Sequence, residues 1–196
     1  MSSASRNHDR PPGQEFQDGI DLPGWEEQSV WGWDSPAGSF FAQLWRNGST
    51  ADAPDIWLDG VETVFRWPSG IVLEIVERTP EPPVAVVAAL GLATPEPRLR
   101  ADAEVMTLLR SAVDSEKTAL RRGAIHALGW TQGFAKSTPV LRGGWRGPRP
   151  TAAEVEAEHH LATGALHRPG GDRDFLSGVD ASLWWLLNRG SDPWFL

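Results

Sequence analysis

The chain has 196 residues, 18 basic and 26 acidic, so its formal charge is −8 with the histidines neutral. It carries 11 Trp and 7 Phe but no Tyr and no Cys. The missing cysteines exclude disulfide scaffolds, thiol catalysis, iron–sulfur clusters and cysteine-based zinc sites, and the length suits one domain with a tail or two small ones.

Residues 1–24 are polar and rich in Pro and Gly. With little to bury they read as a disordered tail, and they lack the apolar run of a secretory signal. From Trp25 the character changes. Glu27–Trp33 alternates as a strand, Asp34–Gly38 carries turn chemistry, and Ser39–Arg46 reads as the returning strand of a β-hairpin. Asn47-Gly48-Ser49 reads as a loop turn. Asp55–Leu58 is a third candidate strand and Val61–Trp67 a fourth, ended by Pro68.

The period then lengthens. Ser69 caps a short helix through Arg78, with a strand as the alternative. Pro83 suits the first turn of a buried helix over Val84–Leu90. The most apolar window, Val84–Ala93, has ten residues, against the roughly 20 a membrane helix needs. Leu99–Val113 and Asp114–Leu128 read as two helices, or as one with a break near Asp114, with Gly129 as a C-terminal cap. Gly133–Pro150 is a loop dense in Gly and Arg. Thr151 and Glu154 match a capping box that opens a helix ending near Gly164. A last helix runs from Asp174 to about Arg189 on a stripe through Phe175, Val179 and Leu183. Strands followed by helices predict an α+β fold, with an N-terminal antiparallel hairpin or small sheet at about 27–67 packed on four to six helices. The expected organisation is a tail over 1–24 and a single domain over 25–196.

Charge is divided along the chain. Residues 25–79 carry −6, residues 80–150 carry +4 and residues 151–196 carry −4. Six of the 11 Trp fall between Trp25 and Trp67, inside the most acidic segment.

Three constellations follow. Trp31, Trp33, Phe41 and Trp45 lie on paired strands, near Asp34, Asp55 and Asp59. They are either a core packed on helices or an aromatic strip that captures a partner. Arg121, Arg122, Arg142, Arg146 and Arg149, with Trp145, resemble a phosphate-contacting patch with a stacking ring. Otherwise they form a solvated loop paired with the protein's own acids. Glu156, His159 and His160 give a Glu-x-x-His spacing that sets two metal ligands on one helix face, but no second such motif is present. Nucleophile elbows, phosphate-binding loops and dinucleotide fingerprints are all missing from the sequence.

These features favour a non-enzymatic, cytoplasmic accessory protein. It would bind a basic protein partner through an acidic, Trp-rich surface, with no cofactor and no membrane. The competing readings are a nucleic-acid-associated protein using the basic 98–149 segment and a metal-dependent enzyme using the Glu/His helix.

Overall fold

The computed structural model describes residues 13–114, 118–141, 143–145, 147–191 and 193. Among these residues the fold is α+β, a four-stranded antiparallel sheet followed by six helices. Contacts divide the chain into two compact units, residues 1–93 and 94–196.

The first unit begins earlier than the sequence suggested. Residues 13–24, read as part of a tail, supply strand β1 (Phe16–Gly19) and bury Ile20 and Leu22. Phe16, Ile20 and Leu22 sit at even positions, a period of two diluted by polar residues and therefore easy to miss. β1 pairs with β2 (Val30–Asp34), β2 with β3 (Ser39–Leu44), and β3 with β4 (Ile56–Leu58). Asp34 closes the β2–β3 turn by accepting from the Ala37 amide at 3.1 Å. The expected fourth strand over 61–67 does not form. That stretch is turn, tied to β3 by one bridge between Phe40 and Phe65.

Register settles which aromatics meet. Trp31 opposes Ala42 and Trp33 opposes Phe40, so these side chains share a face with Phe16 of β1. The ring of Phe40 lies 4.9 Å from Trp33 and 6.1 Å from Trp31, and Phe16 meets Trp31 edge-on at 5.3 Å. Such cross-strand aromatic contacts stabilise a sheet beyond their buried area. Helix α1 (Pro68–Arg78) is a helix rather than the alternative strand. Pro68 begins it, and it buries Ile71, Val72, Leu73, Ile75 and Val76. Helix α2 (Pro83–Ala89) ends in a Schellman turn in which the Leu92 and Gly91 amides donate back to Val87 and Ala88.

The second unit holds helices α3 (Asp102–Val113), α4 (Ala119–Thr131), α5 (Ala152–Leu166) and α6 (Arg173–Leu186). Three of these four helix starts follow capping chemistry, α3 after Ala101 being the exception. Thr118 and Asp172 each accept an amide of the first turn, and Thr151 with Glu154 forms a complete capping box. Gly129 is not the cap of α4, because it keeps helical geometry. The helix runs on to Thr131 and closes at Gly133, which has φ +78°.

The core of this unit forms where α4 crosses α6, centred on Leu128, Trp130, Val179, Leu183 and Trp185. The approach is set by two glycines. A Cβ on Gly123 would lie 2.0 Å from the Phe175 carbonyl oxygen, and one on Gly178 would lie 1.8 Å from that of Leu120. The two backbones touch directly, which larger residues would prevent. Gly178→Ala is therefore expected to cost about 3 kcal/mol, from forced separation of packed helices. Gly129→Ala, whose Cβ would meet only Phe134 at 4.0 Å, should instead be neutral or stabilise by up to about 1 kcal/mol. Urea denaturation of both variants checks this, and equal losses would contradict the crossing geometry.

Candidate protein-binding surfaces and buried acid sites

The residues singled out on the hairpin are distributed rather than gathered. Trp31 is 1% exposed and belongs to the core, Trp33 is half-buried beside it, and Phe41 points from the opposite face, across from Gly32. Trp45 follows β3, half-buried, with its amide donating to the Ser29 hydroxyl at 3.1 Å. The three acids serve turns: Asp34 as above, Asp55 by accepting from the Arg46 amide at 2.9 Å, and Asp59 from Val61 at 3.0 Å.

The exposed aromatics of the first unit lie further along the chain. Trp57 is 55% exposed and Trp67 53%, with Val61 and Val64 also exposed between them. These four are half of the large apolar side chains exposed among the described residues. Asp55, Asp59 and Glu62 lie in the same stretch, with Arg66 as its one cation. Two signals were present. Trp57 is flanked by Ile56 and Leu58, so a strand that buries both must turn the indole outward. Pro68 starts a helix, which leaves Trp67 as its N-cap outside the buried stripe.

Where they are described, the residues named on the basic segment hold contacts within the chain. Arg142 and Arg146 lie outside the described residues. Arg149 pairs with Asp102, holding that carboxyl below its usual range together with Gln132. Trp145 packs edge-on against Trp130 at 5.5 Å and donates its ring N–H to the Pro148 carbonyl at 2.7 Å, so it serves the fold. Arg121 and Arg122 sit in the first turn of α4 and also hold contacts within the chain. Arg100, another member of the segment, closes the end of α6. Its guanidinium donates to the carbonyls of Trp185 (2.8 Å) and Gly190 (2.5 Å), and lies 4.4 Å over the Trp185 ring.

The Glu/His helix, α5, is the most electrostatically loaded element. Glu156 is buried and fully committed. The Thr94 amide donates to its Oε2 at 3.0 Å, the Thr94 hydroxyl to its Oε1 at 2.5 Å, and Arg189 pairs with it. Burial alone would raise its pKa, but Thr94 and Arg189 together hold it below the usual carboxylate value. His159 does not join Glu156 at a common ion. Its Nε2 lies 3.5 Å from Asp180 Oδ1, its Nδ1 is buried without a partner, and its ring packs on Trp184 at 5.5 Å. Burial, reinforced by the Arg189 charge, pushes it down to about 4, so it is neutral at pH 7. His160 is half-buried, its ring 6.1 Å from that of His159. No group of three or more His, Asp or Glu able to hold a metal is found among the described residues.

Glu158 belongs to the same run of acids and histidines, outside the Glu-x-x-His spacing. It is buried and accepts one hydrogen bond, from the Val140 amide at 2.6 Å, and burial pushes its pKa up to about 7. Asp180, in an open depression lined by His159, Thr163 and Trp184, is also raised by burial, partly offset by the Thr163 hydroxyl at 2.6 Å.

Residues 71–159, a little under half of the chain, are similar to the family of HEAT repeats. No curated protein and no solved structure matches the chain. HEAT repeats pack pairs of helices side by side and use the resulting surfaces to bind other proteins. The similarity therefore points to a helical-repeat segment with a protein-binding role. Among the described residues no helix is long and apolar enough to cross a membrane.

The buried acid gives a signed pH dependence. A carboxyl raised from 4.5 to about 7 contributes stability below pH 4.5 that is lost as pH rises through 7. His159, lowered from 6.5, acts oppositely, but its contribution is complete above pH 6.5. Between pH 6.5 and 8 the protein should therefore lose stability. Glu158→Gln, which keeps an acceptor for Val140, should abolish that loss and gain about 1–3 kcal/mol at pH 8. Melting curves across this window test it, and an unchanged slope in the variant would contradict the assignment.

Proposed function

We propose that the chain is a non-enzymatic, cytoplasmic accessory protein that binds a basic protein partner through the acidic, Trp-rich stretch of its first unit. The observation that carries this reading is the concentration of Trp57, Val61, Val64 and Trp67, all exposed, within one short acidic stretch. Exposed indoles next to carboxylates combine the two ingredients of a recognition surface. The rings supply desolvated anchor area, and the acids supply steering toward a cationic partner. The HEAT-repeat similarity supports the class, protein binding, independently of the partner's charge.

The hairpin aromatics named from sequence then have a supporting role. Trp31, Trp33 and Phe40 stiffen the sheet that presents Trp57 at its β4 edge, and Asp55 and Asp59 fix the turns on either side of that strand. Asp55, Asp59 and Glu62 provide the charge.

The test compares stability and capture for two kinds of Trp variant. Trp31→Ala should cost about 3–5 kcal/mol in denaturation. Trp57→Ala and Trp67→Ala should leave stability within about 0.5 kcal/mol but sharply reduce recovery of a basic, salt-sensitive, stoichiometric partner by affinity capture from the native host. Undiminished recovery with the Trp57→Ala/Trp67→Ala double variant would defeat the proposal.

A further inference from the structure

The second unit carries an apolar groove of about 530 Å3, formed by α3, α4 and the turn after α4. Leu109 and Val113 line it from α3; Arg122, Ile125 and Gly129 line it from α4. On a helix these α4 positions are three, four and seven residues apart, so they share one face about 10 Å long. Phe134 closes one end, yet is 63% exposed, and Val113 is 48% exposed.

The turn that ends α4 explains why Phe134 is uncovered. The Phe134 amide donates to the Gly129 carbonyl at 2.8 Å and the Gly133 amide to Trp130 at 2.9 Å, the bonding of a Schellman motif. That motif normally pairs an apolar residue in the position of Phe134 with one in the position of Gly129. Here the second partner is glycine, so the expected contact is a gap. Gly129 is not demanded by packing, since an added Cβ would meet only Phe134, at ordinary contact distance. A helix-interior glycine costs about 0.5–1 kcal/mol relative to alanine. Gly129 is itself buried, and at the floor of the groove it contributes no side chain to fill it.

Cations outnumber acids around it. Arg122 lines the groove, Arg121 precedes it, Arg110 sits one turn before Val113, and Lys136 follows the lining residue Ala135. Of the acids among the described residues, Asp114 follows Val113, and Asp102, which meets Gln132 in the turn after α4, is paired with Arg149. We infer that this groove docks an acidic amphipathic helix of a partner protein. Its apolar side chains at i, i+4 and i+7 would enter between Val113, Ile125 and Phe134, one of them over Gly129, while its carboxylates face Arg110, Arg122 and Lys136. This surface lies in the second unit and its partner is of opposite charge to the one proposed for the first, so the two proposals stand or fall separately.

The experiment is fluorescence anisotropy with the full chain and a labelled synthetic helix of three to four turns, Leu on one face and Glu on the other. Two control peptides accompany it, one of scrambled order and one with Lys replacing Glu. Saturable binding is expected for the acidic pattern alone, weakening with salt. It should fall about ten-fold or more in Val113→Glu, which adds a like charge at a half-exposed position, and in Gly129→Leu, which fills the gap. Circular dichroism checks that both variants remain folded, and Glu27→Gln/Asp52→Asn, at exposed positions of the first unit, should bind the peptide as the parent does. Equal binding of the scrambled or Lys peptide would overturn the inference. So would absence of saturable binding, or full binding in both folded groove variants. Sedimentation that shows a dimer in the parent and a monomer in Val113→Glu would assign the groove to a second copy instead, and would also overturn it.

Discussion

The direct backbone contact of α4 with α6 at Gly123 and Gly178 is the constraint on which the second unit depends. Each glycine lies against a carbonyl of the opposite helix, so neither helix can carry a side chain there. Contact this close sets the depth to which Leu128, Trp130, Leu183 and Trp185 interlock. It also places the opposite face of α4, the one bearing Arg122, Ile125 and Gly129, along an open groove rather than in the core. The two glycine roles are opposite: absence of a side chain brings helices together at Gly123 and leaves space at Gly129.

Charge follows the same division between holding and presenting. The buried Glu156–Thr94–Arg189 cluster and the Arg100 contacts at the end of α6 spend cations and carboxylates on internal order. A buried pair of this kind is costly to break but adds little net stability over an apolar replacement. Its effect is to fix where the chain before α3 and the end of α6 meet. Asp55, Asp59 and Glu62 are placed differently. Asp55 and Asp59 each accept one backbone amide, yet all three sit at or near the surface in the stretch that holds the exposed Trp57 and Trp67.

Local chemistry made much of the fold legible in the sequence. The Asp34–Gly38 turn, the Thr151–Glu154 capping box and the Pro83 start are each defined within a few residues, and each forms as read; α1 instead begins at Pro68 with Trp67 at its N-cap, not with Ser69 as cap. What was lost depended on distant partners. β1 carries too few apolar residues to declare itself, and exists because β2 offers it an edge. The 61–67 stretch alternates like a strand, but only Phe65 bridges to β3. The fates of the tryptophans turned on register, which sequence leaves open: one residue of slippage would exchange Trp31 for Gly32 at the core face. Glu156-x-x-His159 had metal spacing, but spacing cannot show that Thr94 and Arg189 already occupy the carboxylate.

The proposed role requires Trp57 and Trp67, both exposed in the isolated protein, to be covered in its complex. Covalent tryptophan labelling read by mass spectrometry measures this directly, on the full chain alone and after capture of its partner. Strong modification of Trp57 and Trp67 but not Trp31 is expected in the isolated protein, with both sites protected on binding. Protection of Trp57 and Trp67 before any partner is added, or equal labelling with the partner bound, would contradict the account.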